Sequence, residues 1–152
     1  MTKFPPNPYL NIFEPFIGIW TTTGSHSQFP DTILHGKASF QWHESSAFII
    51  MRASVDHPKF PDGMAIIGAD GKLGTYSMLY YDERGVSRIC QVSMKGNTFK
   101  WWRDEPGFSQ RYSFTISKDK QSIVGKGELC TDGTTWEKDL DLNYTRVEER
   151  TI

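Results

Sequence analysis

Arg52, Arg88, Arg103, Gln110 and Tyr144 are the residues with chemistry to offer, because each falls on the apolar side of an alternating run. Arg52 shares parity with Phe48 and Ile50, Arg88 with Cys90, Val92 and Met94, and Arg103 with Phe99 and Trp101. Gln110 shares it with Phe108, Tyr112 and Phe114, and Tyr144 with Leu142 and Arg146. Alternate residues of an extended strand point to the same face, so these polar groups are aimed at an interior. One guanidinium alone would be too costly to desolvate there. Several together imply interior carboxylates, trapped water or an anionic ligand. In the run around Arg52 a competing apolar face exists, Ile49, Met51, Ala53 and Val55, and around Tyr80 both faces carry aromatics. The parity of those two strands stays open.

Other chemistry is thin. His26, His35, His43 and His57 form no His-x-His or His-x-x-x-His pair, and His35 and His43, though of one parity, lie about 26 Å apart along a strand. They read as structural or surface groups, with residues 24–31 the one stretch where an imidazole could reach a pocket. Glu137, Asp139 and Asp141 have the spacing of a carboxylate pair, but they alternate with Trp136, Leu140, Leu142 and Tyr144, which places the acids on a solvated outer face. Cys90 and Cys130 are too few for a disulfide scaffold, and no Gly-x-Ser-x-Gly elbow or paired nucleophile is present. Arginines cannot act as general bases near pH 7. No catalytic residue, metal or cofactor is therefore expected.

The elements that position these groups are read from turns. Asp70-Gly71, Glu83-Arg84-Gly85, Lys95-Gly96-Asn97 and Asp132-Gly133 recur about every ten residues and separate runs rich in Val, Ile, Thr and aromatics. The spacing predicts ten strands, at 16–23, 33–42, 47–55, 64–69, 75–81, 86–94, 98–103, 108–117, 122–131 and 135–147. One short helical stretch fits, around 9–13, between Pro8 and Pro15. Its apolar residues could plug an opening. Ten amphipathic strands joined by short hairpins favour an all-β, antiparallel, up-and-down barrel, which also removes exposed edges.

With 152 residues the chain suits one domain spanning 1–152, its first fifteen residues forming the plug. Seventeen Lys and Arg against eighteen Asp and Glu leave no field to hold a polyanion, so nucleic acid is not expected as a partner. Apolar runs are only a few residues long and the N-terminus lacks a secretory core, so neither a membrane nor export is expected and the location reads as cytoplasmic. Outward aromatics such as Trp102 or Tyr80 would need cover, which suggests a homodimer.

The first strand contains Gly18-Ile19-Trp20 and the last ends Tyr144-Thr145-Arg146-Val147. This pairing resembles the calycin superfamily, the lipocalins and their relatives. The resemblance implies that Gly18 allows close backbone approach and that Arg146 stacks on Trp20 to close the barrel floor. Asp56-His57-Pro58, Ala65-Ile66-Ile67-Gly68, residues 81–86 and residues 102–111 are similar to a bacterial group of lipocalin-like proteins, which brings a fold and no activity. A further resemblance, to the haem-binding nitrobindins, covers 8–20, yet those barrels hold iron through a late histidine and this chain has none after His57. The expected function is binding of a small hydrophobic molecule with a polar or anionic head by Arg52, Arg88, Arg103, Gln110 and Tyr144. The alternatives are an isomerase or cyclase using the same lumen, or a haem-binding barrel.

Overall fold

The computed structural model describes residues 6–147. Ten staves make one closed antiparallel barrel in up-and-down order. β1 covers Gly18–His26, β2 Leu34–Trp42, β3 Ile49–Val55, β4 Gly63–Asp70, β5 Thr75–Asp82 and β6 Ser87–Lys95. β7 covers Thr98–Arg103, β8 Ser109–Ile116 and β9 Ser122–Cys130. The tenth stave is in two pieces, β10 (Glu137–Lys138) and β11 (Leu140–Arg146), both bonded to β9. Pairing of β11 with β1 closes the ring.

That seam sets Trp20 opposite Arg146. The Arg146 guanidinium lies 4.2 Å from the centre of the Trp20 ring. It donates from Nη1 to the Ile17 carbonyl and from Nη2 to the Pro15 carbonyl, both at 2.7 Å, and from Nε to the Lys120 carbonyl at 2.9 Å. Trp20 is fully buried and its Nε1 donates to the Phe16 carbonyl at 3.0 Å. Gly18 sits at φ 142°, and a Cβ there would collide with Arg146 Nη1. Only glycine permits the approach. The two ends of the chain meet as the sequence implies.

Beneath this floor lies the plug, a 3-10 helix at Pro8–Phe16. The Asn7 side chain accepts from the Tyr9 N–H and donates to the Ala69 carbonyl at 3.1 Å, tying the helix start to β4. Leu10, Phe13 and Phe16 are buried, Phe13 edge-on to Phe99 at 5.4 Å and to Tyr76 at 5.5 Å. Each such side chain contributes about 1.5–3 kcal/mol by leaving water. Residues 1–5 of the expected plug lie outside the described residues.

Three parities depart from the sequence reading or are decided where it left them open, in β3 and β5. In β3, Ile49 pairs with Trp42 on one side and Ile67 on the other and is fully buried, so Arg52 points outward and is exposed. The aliphatic face prevailed because burying it costs no guanidinium desolvation. In β5, Met78 is fully buried and Tyr80 packs on the core beside it, which removes Tyr80 from the outward aromatics. The third difference comes from a β-bulge. Lys138 pairs with Glu128 and Leu142 with Gly125, so four steps on one stave (138 to 142) answer three on β9 (128 to 125). One added residue turns over everything before it. Asp139, expected on the solvated face, is inside and only 7% exposed, while Trp136, expected in the core, lies outside with the Arg111 guanidinium 3.8 Å from its ring centre.

Candidate functional site

The barrel interior is divided along its axis. Toward the plug the inward residues Phe40, Ile49, Ile67, Met78, Phe99 and Ile123 are at most 1% exposed. Toward the opposite mouth Met51, Ala53, Tyr80, Trp101 and Tyr112 also face inward, yet they keep partial exposure. The lower half is fully buried, while the upper half buries Leu34, Ala65 and Cys90 and leaves its larger side chains partly exposed, packed against the same core.

The mouth end is lined by a hydrogen-bonded polar chain. Arg88 Nη1 donates to Gln110 Oε1 at 2.7 Å, and Gln110 Nε2 donates to Asp139 Oδ2 at 3.1 Å. Tyr112 OH donates to the same Oδ2 at 2.5 Å. His26 Nε2 meets Asp139 Oδ1 at 2.9 Å. The His26 tautomer follows from its other nitrogen, since Nδ1 accepts from the Gln28 N–H at 3.0 Å and so Nε2 carries the proton. The Asp139 carboxylate thus takes three donors and offers none. Burial pushes the Tyr112 hydroxyl well above its ordinary value, with the Asp139 charge adding to the effect. It stays a donor.

Local backbone explains why this arrangement holds. The Asp139 N–H donates to the Gly127 carbonyl at 2.9 Å and the Gly127 N–H donates to Asp141 Oδ1 at 3.2 Å, which pins the bulge from both sides. A Cβ on Gly127 would collide with the Tyr112 ring. On β7, Trp101 stacks against Tyr112 with centroids 4.5 Å apart at 16°. Among the described residues two interior groups lack partners: Trp101 Nε1 and Thr22 Oγ1 are buried without a hydrogen bond.

Arg103 pairs in register with Gln110, and its Nη1 reaches the Phe108 carbonyl at a long 3.4 Å. Glu105 lies 3.8 Å away at the exposed rim. Arg88 sits 5.2 Å from the Phe108 ring centre. Burial pushes the Cys90 thiol up, while the Arg103 and Arg88 charges pull it the other way. Nearby, burial and then a 2.9 Å hydrogen bond to Asp82 push Tyr80 up to about 12. Arg84 holds Asp82 down at about 2. Over the mouth, residues 27–33 and 56–62 bring Phe29, His57 and Phe60 around His26, with Phe29 and His57 4.7 Å apart and His26 and Phe60 5.6 Å apart.

Of the residues singled out in the sequence, Arg88, Arg103 and Gln110 are brought together at the mouth. Tyr144 is deeper, 6% exposed and edge-on to Phe114 at 5.9 Å. Arg52 is elsewhere, in an outer groove of about 630 Å³ that also includes Ile19, Lys37, Met64 and Tyr81. His26, Tyr112 and Asp139 were missed as site residues. Tyr112 already had the parity of Gln110. Asp139 had no sequence signal, because the bulge that turns it inward is a property of its pairing with β9.

No protein-family model matches the chain, and no curated protein matches it. Among solved structures it is similar to "Crystal Structure of Rv2717c from M. tuberculosis", at 11% identity and a TM-score of 0.68, covering 94% of this chain and 99% of that one. The likeness shows the fold, a closed ten-strand antiparallel barrel. Among the described residues no group of three or more His, Cys, Asp and Glu is placed to hold a metal, and no helix is long and apolar enough to cross a membrane.

Proposed function

We propose that the chain binds a small hydrophobic molecule with an anionic head in the upper half of the barrel, with Arg88, Arg103 and Gln110 at the head. The observation that carries this reading is the division of the interior: a solid core toward the plug, and toward the mouth partly exposed inward side chains rimmed by two guanidiniums. Arg88 makes one hydrogen bond to the protein and Arg103 one long one, so each keeps donors for a ligand among the described residues. Tyr144 contributes to the wall below, and Arg52 has no part.

Catalysis has one argument in its favour that the sequence did not offer, the His26 and Asp139 pair. Both imidazole nitrogens are already engaged, Nε2 on Asp139 and Nδ1 on the Gln28 N–H, so the ring has no free lone pair to take a proton from a substrate. The same occupancy weighs against His26 as a haem ligand. Binding is the better reading.

The test uses 8-anilinonaphthalene-1-sulfonate as fluorescent probe, displaced by dodecanoate or by dodecyltrimethylammonium. Dodecanoate is expected to displace it at least tenfold more effectively, and a double Arg88→Met, Arg103→Met variant to lose that preference. Equal displacement by both amphiphiles, or none by either, overturns the reading.

A further inference from the structure

The outer groove of about 630 Å³ crosses the outward faces of β1 to β5, and none of Arg88, Arg103, Gln110 or Asp139 lines it. It is separate from the ligand site. One row of its lining runs Ser39, Arg52, Met64 and Tyr81, each paired in register with the next. Met64 and Tyr81 are 37% and 41% exposed, so large apolar groups border the groove in water. Ser39, Ala53, Ser54 and Gly63 also line it, and these small residues leave room for close approach.

Four charges stand around Ser54. Lys37 is its pairing partner on β2, and on the other side of β3 Asp62 directly precedes Gly63, the partner of Ala53. Along the chain Arg52 lies two residues before Ser54 and Asp56 two residues after it, where the Asp56 N–H donates to the His35 carbonyl at 2.7 Å and continues the ladder. Alternate residues share a face, so Arg52, Ser54 and Asp56 point outward together. Among the described residues Lys37, Arg52, Asp56 and Asp62 enter no ion pair, and all four are exposed.

Their order is what points to an occupant. Lys37 and Arg52 fall on one side of a diagonal through Ser54, and Asp56 and Asp62 fall on the other. A two-fold axis lying in the face along that diagonal sets the cationic half of one copy on the acidic half of the other, and by symmetry the reverse. Lys37 then meets the partner's Asp56, and Arg52 meets the partner's Asp62. Met64 is beside Arg52 on β4 and two residues beyond Asp62, so it lies on the diagonal and meets the partner's Met64. Ion pairs of this exposed kind fix register and exclude wrong orientations, while Met64 and Tyr81 supply apolar area.

We propose that this outer face of β2, β3 and β4 joins two copies of the chain in an isologous dimer with Met64 on the two-fold axis. A face whose two halves exchange under one symmetry operation needs no second kind of protein to match it. Neither Trp102 nor Tyr80 belongs to it.

Two pairs of substitutions at exposed positions test the dimer by sedimentation over a concentration series, with thermal unfolding followed by circular dichroism to show that each variant is folded. Asp56→Lys with Asp62→Lys makes the face wholly cationic, and Lys37→Asp with Arg52→Asp makes it wholly acidic. Wild type should dimerise, and either variant alone should associate at least tenfold more weakly, because only like charges then meet. Mixed in equal amounts, the two variants should form a heterodimer and recover most of the lost affinity. A wild type that stays monomeric throughout, or a dimer that persists in either variant, overturns the proposal. Two weakened variants that fail to recover on mixing overturn it as well, and assign the groove to an ionic guest instead of a second copy.

Discussion

Replacing Asp139 by Asn probes the inward turn of the bulge, because the change alters charge and hydrogen bonding but hardly alters shape. Oδ2 takes Tyr112 OH and Gln110 Nε2, and Oδ1 takes His26 Nε2. An amide that keeps its oxygen toward Tyr112 and Gln110 must point its NH2 at the His26 N–H. The ring cannot yield by switching tautomer, since Nδ1 already accepts from Gln28. Two charge-assisted bonds become neutral, at a loss of about 1 kcal/mol each, and one buried donor is left facing another, at about 1–3 kcal/mol. The sum is about 3–5 kcal/mol. For a domain of this size each kcal/mol lowers the midpoint by roughly 2–4 °C, so thermal unfolding followed by circular dichroism should fall by at least about 6 °C. A double-mutant cycle with Tyr112→Phe should show coupling above about 0.5 kcal/mol. An acid on a solvated outer face would lose less than about 0.5 kcal/mol. A loss that small would refute the bulge and the site built on it.

Three further outcomes follow from the geometry. Gly127→Ala places a Cβ against the Tyr112 ring and should destabilise by about 1–3 kcal/mol in urea unfolding, since the ring is held between β9 and Trp101; a neutral result would mean the ring is free to move. Trp20→Ala removes the fully buried indole beneath Arg146 and should cost about 3–5 kcal/mol in the same assay. Asp82 is held at about 2 in the folded chain against an ordinary 3.8, so its contribution is present above pH 3.8 and disappears as pH falls toward 2. Stability measured from pH 5 to 2 should therefore decline less steeply in Asp82→Asn than in wild type, and parallel profiles would exclude the Arg84 contact as its cause.

The barrel was readable because its signals are local. Turn residues mark hairpins, alternation marks faces, and Gly18, Trp20 and Arg146 mark where the ends meet. The mouth was readable only in part. Arg88, Arg103 and Gln110 each sit in a strand whose opposite face is mostly polar, Ile89 and Trp102 being the exceptions, so parity could be assigned from the strand alone. Arg52 lies in a strand with apolar residues on both faces, and its direction was decided by Trp42 and Ile67 on neighbouring strands. Asp139 was harder still. Its alternation with Leu140, Leu142 and Tyr144 is regular, and nothing within the last stave announces that β9 answers four of its steps with three. His26 joins the site because β1 runs on to the mouth beside Leu140, a pairing between the two ends of the sequence.

The seam between β1 and β11 has a consequence for how the chain reaches this state. Every other joint of the barrel is closed by a neighbour in sequence, so strands can zip together as they leave the ribosome. β1 gains β2 early but waits for β11, the last strand made. Until then nine strands can be paired while β1 and β9 each present a bare row of N–H and C=O groups. Such edges are templates for another chain in the same condition. Bringing Trp20 and Arg146 together across the intervening sequence would cost about 4 kcal/mol of closure entropy in an unpaired chain, a cost that the strands zipped beforehand reduce. Substitutions that weaken the stack should therefore surface first as poor yield from crowded synthesis, and only afterwards as a lowered melting point in protein that has closed.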